Sequence, residues 1–288
     1  DPFTNYYPES DIEKYRIQNE GKSNNAGFDF RFIQQYATIT EIYEGQSADK
    51  AGIKTGDQII AIDGKDTYGK SAEEVDFFLR GTAGSSVSLT LRRPGSTSEI
   101  KTNLVRGDFE VPNVPYFSRL ENDIAYISLT TFTPRAGRNV SNALRDMRQE
   151  NPDLKGVILD LRENGGGLLM EAISVCNVFI PKNSLVVTTK GRIKEQDRLF
   201  NTTQDATDTE IPLVVLINRR SASASEIVSG VIQDYDRGVV VGQRSYGKGL
   251  VQNTVDVGYN ARLKLTTSKY YIPSGRSIQS VEYKNGEP

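Results

Sequence analysis

The sequence contains no histidine, no tryptophan, two methionines and a single cysteine, Cys176, among its 288 residues. Without histidine there is no Ser-His-Asp or Cys-His catalytic set, and no metal site built on imidazole. A hydrolase with this composition must find its general base elsewhere. One cysteine cannot close an internal disulfide, and Cys176 alone does not decide the redox compartment. Long apolar runs are missing as well: stretches such as Leu213–Ile217 fall far short of the roughly 20 residues that span a bilayer as a helix. Neither charge sign dominates, with 35 Lys and Arg against 37 Asp and Glu and a net charge of −2. The electrostatic footprint of a nucleic-acid or anionic-membrane partner is therefore absent. The chain begins at Asp1 with no signal-like segment, which reads as an excised or processed fragment of a longer protein.

What remains is an ordinary globular balance, 37% apolar and 25% charged, over a length that accommodates two domains. Residues 1–23 read as an N-terminal helical segment, with a short helix over Ser10–Gln18 capped by Ser10. The Gly/Asn/Ser cluster Gly21–Gly27 reads as a boundary loop. Residues 24–107 carry short, mostly β signals: Phe28–Phe32 and Ser86–Arg92 alternate, Ala37–Tyr43 is β-branched, and Gln58–Ile62 is apolar. Between them a one-turn helix at Ala48–Lys50 closes on Gly52, and a longer helix over Ser71–Arg80 is expected to end at Gly81.

From residue 108 to residue 288 strands alternate with helices of 10–15 residues, the pattern of an α/β core. The expected strands are Ile124–Leu129, Gly156–Leu161, Leu213–Ile217, Val239–Val241, Val251–Val255 and Leu263–Thr267. The expected helices are Pro134–Gln149, with Val140, Leu144 and Met147 on one face, then Leu168–Ile180, then Ala224–Tyr235. Cys176 shares an apolar helix face with Ala172 and Ile180, where an inert buried thiol is expected.

Three stretches of this second module carry chemistry-bearing residues. In Asp160-Leu-Arg-Glu-Asn-Gly-Gly-Gly, a buried strand runs through glycines into a helix, so backbone N–H groups face outward beside a helix N-terminus. An oxyanion hole and a plain tight turn both fit that pattern. In Asn218-Arg-Arg-Ser-Ala-Ser-Ala-Ser-Glu, small residues follow a buried strand and lead into a helix; a serine here serves either as nucleophile or as helix cap. Glu226 reads more readily as a first-turn helix charge than as a catalytic acid. The third stretch, Gly242-Gln-Arg-Ser-Tyr-Gly-Lys-Gly, nearly matches a phosphate-binding loop. Its last position is Gly249 instead of Ser or Thr, however, and a strand-like alternation follows where a helix is required, so the nucleotide reading fails.

A glycine-flanked lysine in a chain without histidine then gains weight as a base. Free lysine titrates near about 10.4, and work at neutral pH needs a drop of about 3 units, which desolvation can supply.

Together the three stretches resemble the C-terminal processing (tail-specific) serine peptidases, and the likeness runs through the opening Asp-Pro-Phe-Thr-Asn-Tyr-Tyr-Pro and the late Tyr-Tyr-Ile-Pro-Ser-Gly-Arg-Ser-Ile-Gln. The segment Ser-Ala-Asp-Lys-Ala-Gly-Ile-Lys-Thr-Gly-Asp-Gln-Ile-Ile-Ala-Ile-Asp-Gly resembles a PDZ domain of the circularly permuted bacterial type. The resemblance implies an α/β (α+β) chain: a small β-rich PDZ domain ahead of a crotonase-like ββα protease core. It implies Ser223 as nucleophile, Lys248 as base and Gln252 as the residue that orients it. Ala224 and Gly166 would supply the oxyanion N–H groups, although Asn164-Gly165-Gly166-Gly167 replaces the family's usual Asn-Pro-Gly-Gly.

In the PDZ module the loop at Gly27 would hold a peptide's terminal carboxylate, and the strand containing Phe28 and Phe30 would accept the tail by β-addition. For the phenylalanines, core packing is the favoured reading over peptide contact. No metal or organic cofactor and no nucleotide is called for. The implied partners are protein substrates recognised by their C-terminal tails, with assembly of subunits through segments outside this sequence, PDZ movement as a gate, and an exported or periplasmic location. Two rival readings are a non-catalytic PDZ peptide-binding protein on an inactive peptidase core, and a crotonase-like acyl-CoA enzyme.

Overall fold

The computed structural model describes residues 3–9, 22–23 and 25–281; the helix expected at Ser10–Gln18 lies outside them. The chain divides into two compact units, one of residues 22–111 and the other of residues 1–21 with 112–288.

The smaller unit is an antiparallel sheet in the order Phe28–Ile33, Tyr36–Ile42, Gln58–Ile62, Ser86–Arg92 and Glu99–Val105, with Lys65–Asp66 also paired to Gln58–Ile62. The period-2 alternation is realised as expected: Val87, Leu89 and Leu91 are buried while Ser86 and Ser88 face out. The helix Ala72–Leu79 starts where Ser71 and Glu74 form a reciprocal capping box, and it buries Val75 and Leu79.

The end of that helix departs from expectation. Arg80 is extended, so the chain leaves the helix without a left-handed glycine. Gly81 serves space instead, because a Cβ there would stand 2.8 Å from the Arg106 guanidinium. Arg106 is buried and donates to the carbonyls of Leu79 (2.7 Å), Phe78 (3.4 Å) and Ser86 (2.7 Å). An arginine distant in sequence thus satisfies the carbonyls a C-cap would otherwise take. Arg106→Met, which keeps the stem and removes the donors, is expected to destabilise this unit by about 2–3 kcal/mol. In urea unfolding of the whole chain, the transition of this unit should move to lower denaturant and that of the other unit should stay.

The larger unit contains a five-stranded sheet in the order Tyr116–Leu120, Ile124–Ser128, Gly156–Asp160, Leu213–Ile217 and Val239–Gly242. The first pair is antiparallel and the other three pairings are parallel. The helices Ala136–Glu150, Leu169–Phe179 and Ala224–Asp234 share one core with it, in which Val140, Leu144, Cys176, Ile227 and Val231 join Ile127, Leu159 and Val215. Burial pushes the Cys176 thiol up, as expected of an inert core cysteine.

A second sheet is organised around the ten-residue strand Arg262–Tyr271. Leu250–Asp256 pairs along one of its edges. Asn5–Tyr7 and Leu185–Gly191 lie end to end along the other, with Arg198–Asn201 outermost.

Gly156–Asp160, Leu213–Ile217 and Val239–Gly242 are adjacent and parallel. The loops leaving their carboxyl ends therefore open on one edge of the sheet, which is where open α/β sheets place their ligands. Those loops are the three stretches singled out by sequence.

Candidate active site

The three serines of the second stretch separate by what their hydroxyls do. Ser221 donates to the buried Leu161 carbonyl at 2.7 Å, and Ser225 donates to the Asn164 carbonyl at 2.9 Å. Both are fully buried structural residues. Ser223 donates its hydroxyl proton to no group among the described residues, and it is held at φ 55°, ψ −111° at the start of the helix Ala224–Asp234. A non-glycine residue in such a conformation is strained by about 1–3 kcal/mol and persists only where its surroundings enforce it. Here the enforcement is visible. The Ala222 N–H donates to the Asn164 carbonyl at 3.0 Å, the Ser223 N–H to Glu226 Oε2 at 2.8 Å, and the Ser223 carbonyl accepts the Glu226 and Ile227 N–H groups. A serine raised on a strained strand-to-helix turn has the posture of a nucleophile.

Glu226 stands in the first helical turn, as expected, but its reach goes beyond what the sequence showed. The side chain is buried, and its carboxylate collects backbone donors from both the serine loop and the lysine loop. Oε2 accepts the N–H of Ser223 and the N–H of Lys248, both at 2.8 Å, and Oε1 accepts that of Gly247 at 2.6 Å. One carboxylate thereby joins the main chain of Ser223 to the main chain of Lys248. The sequence signal was its place three residues after a helix-capping serine, which marks a reciprocal cap. That signal could not reveal the second loop.

Lys248 is half-buried. Burial pushes its amine below the ordinary lysine value and the nearby Lys264 pushes the same way, while Glu226 opposes them. Its Nζ makes no hydrogen bond to Ser223 among the described residues and lies 4.8 Å from the centroid of the Phe3 ring. Gln252 is likewise engaged elsewhere: its amide donates to the Leu250 carbonyl at 3.1 Å and to Thr266 Oγ1 at 3.3 Å. The main chains of Ser223 and Lys248 are thus joined through Glu226, while the Lys248 amine and the Gln252 amide face other groups.

The glycine loop is shaped to Ser223. Gly166 has φ +100°, and a Cβ on it would stand 2.9 Å from Ser223 Cβ and 3.0 Å from the Ala224 nitrogen. Only glycine admits that approach. The Gly166 N–H itself donates to Asn164 Oδ1 at 2.9 Å, so in this conformation it is committed to the loop and not to an oxyanion. Asn164, missed as a site residue by sequence reasoning, is fully buried and also donates to the Leu129 carbonyl at 2.7 Å. No hydrogen bond to the Ala224 N–H is present among the described residues.

The neighbouring charges are spent structurally. Burial alone would raise the Asp160 carboxyl, but Arg162 and the Tyr126 hydroxyl (2.6 Å) hold it below the usual range. Arg220 pairs with Glu163 at 2.8 Å on the surface.

In the smaller unit Phe28–Ile33 is an edge strand, as tail addition requires. Two residues expected to meet a peptide have other engagements in this structure. The Phe28 side chain is 1% exposed and fills the core, because the strand's inward face begins at that residue. The Gly27 N–H donates to Asn25 Oδ1 at 2.8 Å, which leaves that donor occupied. Gly27 is nonetheless obligatory, with φ +92° and Gln46 Cβ 2.2 Å from where its Cβ would be. Phe30 stays half-buried on the edge strand.

Residues 123–284 match the profile of peptidase family S41, and residues 38–93 match that of a PDZ domain. A carboxy-terminal-processing protease of Bartonella bacilliformis is 37% identical, covering 98% of this chain and 64% of its own length. A carboxyl-terminal-processing protease of Picosynechococcus is 31% identical, covering 98% of this chain and 68% of its own. The solved photosystem II D1 C-terminal processing protease is 27% identical with a TM-score of 0.57, over 97% of this chain and 75% of that one. The chain thus spans roughly two thirds of the length of these curated relatives.

Proposed function

Since the chain belongs to peptidase family S41, we propose that it is a serine endopeptidase whose nucleophile is Ser223 and whose general base is Lys248. The observation that carries this reading is the Glu226 carboxylate, which ties the strained serine turn and the lysine loop into one site. In the reaction the Lys248 amine leaves Phe3 for Ser223, and Gln252 exchanges Thr266 for the amine. Neutral Lys248 then takes the Ser223 hydroxyl proton as Oγ bonds to the peptide carbonyl carbon. The Ala224 N–H receives the oxyanion, joined by Gly166 once its N–H turns from Asn164; each such donor is worth about 3–4 kcal/mol at comparable sites. The ammonium protonates the departing amine, and the regenerated base activates water to hydrolyse the acyl-enzyme.

The domain assignment that goes with this is a PDZ domain over residues 24–107 and a peptidase core from 108 onward. The PDZ edge strand receives the C-terminal tail of a protein substrate, with Phe30 beside it. An exported location and assembly through further segments follow from the same family reading. Labelling with a fluorophosphonate, mapped by mass spectrometry, should place the adduct on Ser223. The labelled protein should lose cleavage of an unfolded substrate, and blocking the substrate's terminal carboxylate by amidation should raise KM. An adduct on Ser221 or Ser225, or undiminished cleavage by fully labelled protein, sinks the assignment.

A further inference from the structure

The strand Asn5–Tyr7 has no part in a serine–lysine reaction, yet it is registered against the strand that flanks the base. Asn5, Tyr6 and Tyr7 pair with Lys264, Leu263 and Arg262, and the Thr266 N–H donates to Thr4 Oγ1 at 3.4 Å. Thr266 is also the residue that holds the Gln252 amide. This register carries Phe3 to the Lys248 amine, with the ring centroid 4.8 Å from Nζ, inside the range of a cation–π contact. The charged groups acting on that amine are Lys264 from the strand Arg262–Tyr271 and Glu226 from the helix Ala224–Asp234. Lys264 disfavours the ammonium, Glu226 favours it, and the face of an aromatic ring favours it too.

We propose that Phe3 is a positioning residue for the base: its ring face parks Lys248 as the ammonium, unbonded to Ser223, until the amine is drawn into the site. The proposal rests on Lys248 being the base. It predicts two stations for one side chain. At the ring the proton is retained; at Ser223, away from the π face and still beside Lys264, it is released. A ring that merely shields the amine from water would act with the opposite sign, because shielding alone favours the neutral form.

The sign is what the experiment reads. The Lys248 titration is followed by the ¹³Cε shift in the lysine-labelled chain, assigned with Lys248→Arg, alongside the pH profile of kcat/KM. Phe3→Leu keeps the bulk and removes the π face. It is expected to lower the Lys248 pKa by about 0.5–1.5 units and to move the acid limb of kcat/KM down with it. At a pH below that limb, activity then rises by about 3- to 30-fold. Phe3→Tyr should restore the parent values. An unchanged or raised Lys248 pKa in Phe3→Leu overturns the proposal while leaving the base assignment intact, provided the parent's acid limb follows the titration. An acid limb that ignores the Lys248 titration in every variant overturns the base assignment and the proposal together.

Discussion

Lys248→Ala is expected to lower kcat by about 10⁴-fold or more with KM within a few fold, because the lost group acts on the reacting proton and not on substrate binding. Lys248→Arg should be equally inactive. Arginine keeps the charge and much of the reach but does not deprotonate at accessible pH, so it separates a base from a merely cationic contribution. The pH dependence has a determined sign. The proposed base role requires the neutral amine, so activity is expected to rise as pH climbs through the Lys248 pKa, which burial sets below the ordinary lysine value of 10.5. Steady-state kinetics on a tailed peptide checks both points. Substantial turnover by Lys248→Arg would show that some other group removes the serine proton.

The second large effect belongs to Glu226. Glu226→Ala leaves the N–H groups of Ser223, Gly247 and Lys248 without their acceptor in a buried setting, a loss of about 2–5 kcal/mol in stability. It also frees Ser223 from the bond that helps hold φ at 55°. Displacement of the reacting groups by about 1 Å is enough to cost about 10²-fold in kcat. Glu226→Gln discriminates geometry from charge. The amide oxygen still serves the two donors on the Oε2 side, but its NH₂ then faces the Gly247 N–H, donor against donor. An intermediate loss, about tenfold in kcat with thermal stability between parent and Glu226→Ala, is expected. The checks are kcat at fixed pH and the thermal midpoint of the larger unit. Full activity in Glu226→Ala would show that the serine turn needs no carboxylate to hold it.

The sequence was legible where local pattern and tertiary outcome coincide. Leu213–Ile217 reads as an apolar strand and is one, with Leu213 and Val215 buried and Val214, Leu216 and Ile217 half-buried. The helix expected from Ser71 is present as Ala72–Leu79, with Ser71 as its cap. The strands Tyr116–Leu120 and Arg198–Asn201 were not legible, since both are edge strands with mostly exposed side chains and little periodic burial. Gly81 looked like a helix terminator because glycine commonly is one; the distant Arg106 took over that task.

The same division runs through the site. The absence of histidine and the three glycine- and serine-rich stretches narrowed the candidates to a glycine-flanked lysine and one of three serines, because chemistry depends on residue type and the stretches are local; the choice of Ser223 rested on the family resemblance. Which serine keeps its proton uncommitted, and that Glu226 joins the serine loop to the lysine loop, came only with the folded chain. So did the contact of Phe3 with Lys248. These are relations between segments far apart in the chain, decided by strand order, register and burial. A one-dimensional pattern encodes which elements form; the hydrogen bonds that their loops exchange across a sheet edge exist only once the sheet has put those loops side by side.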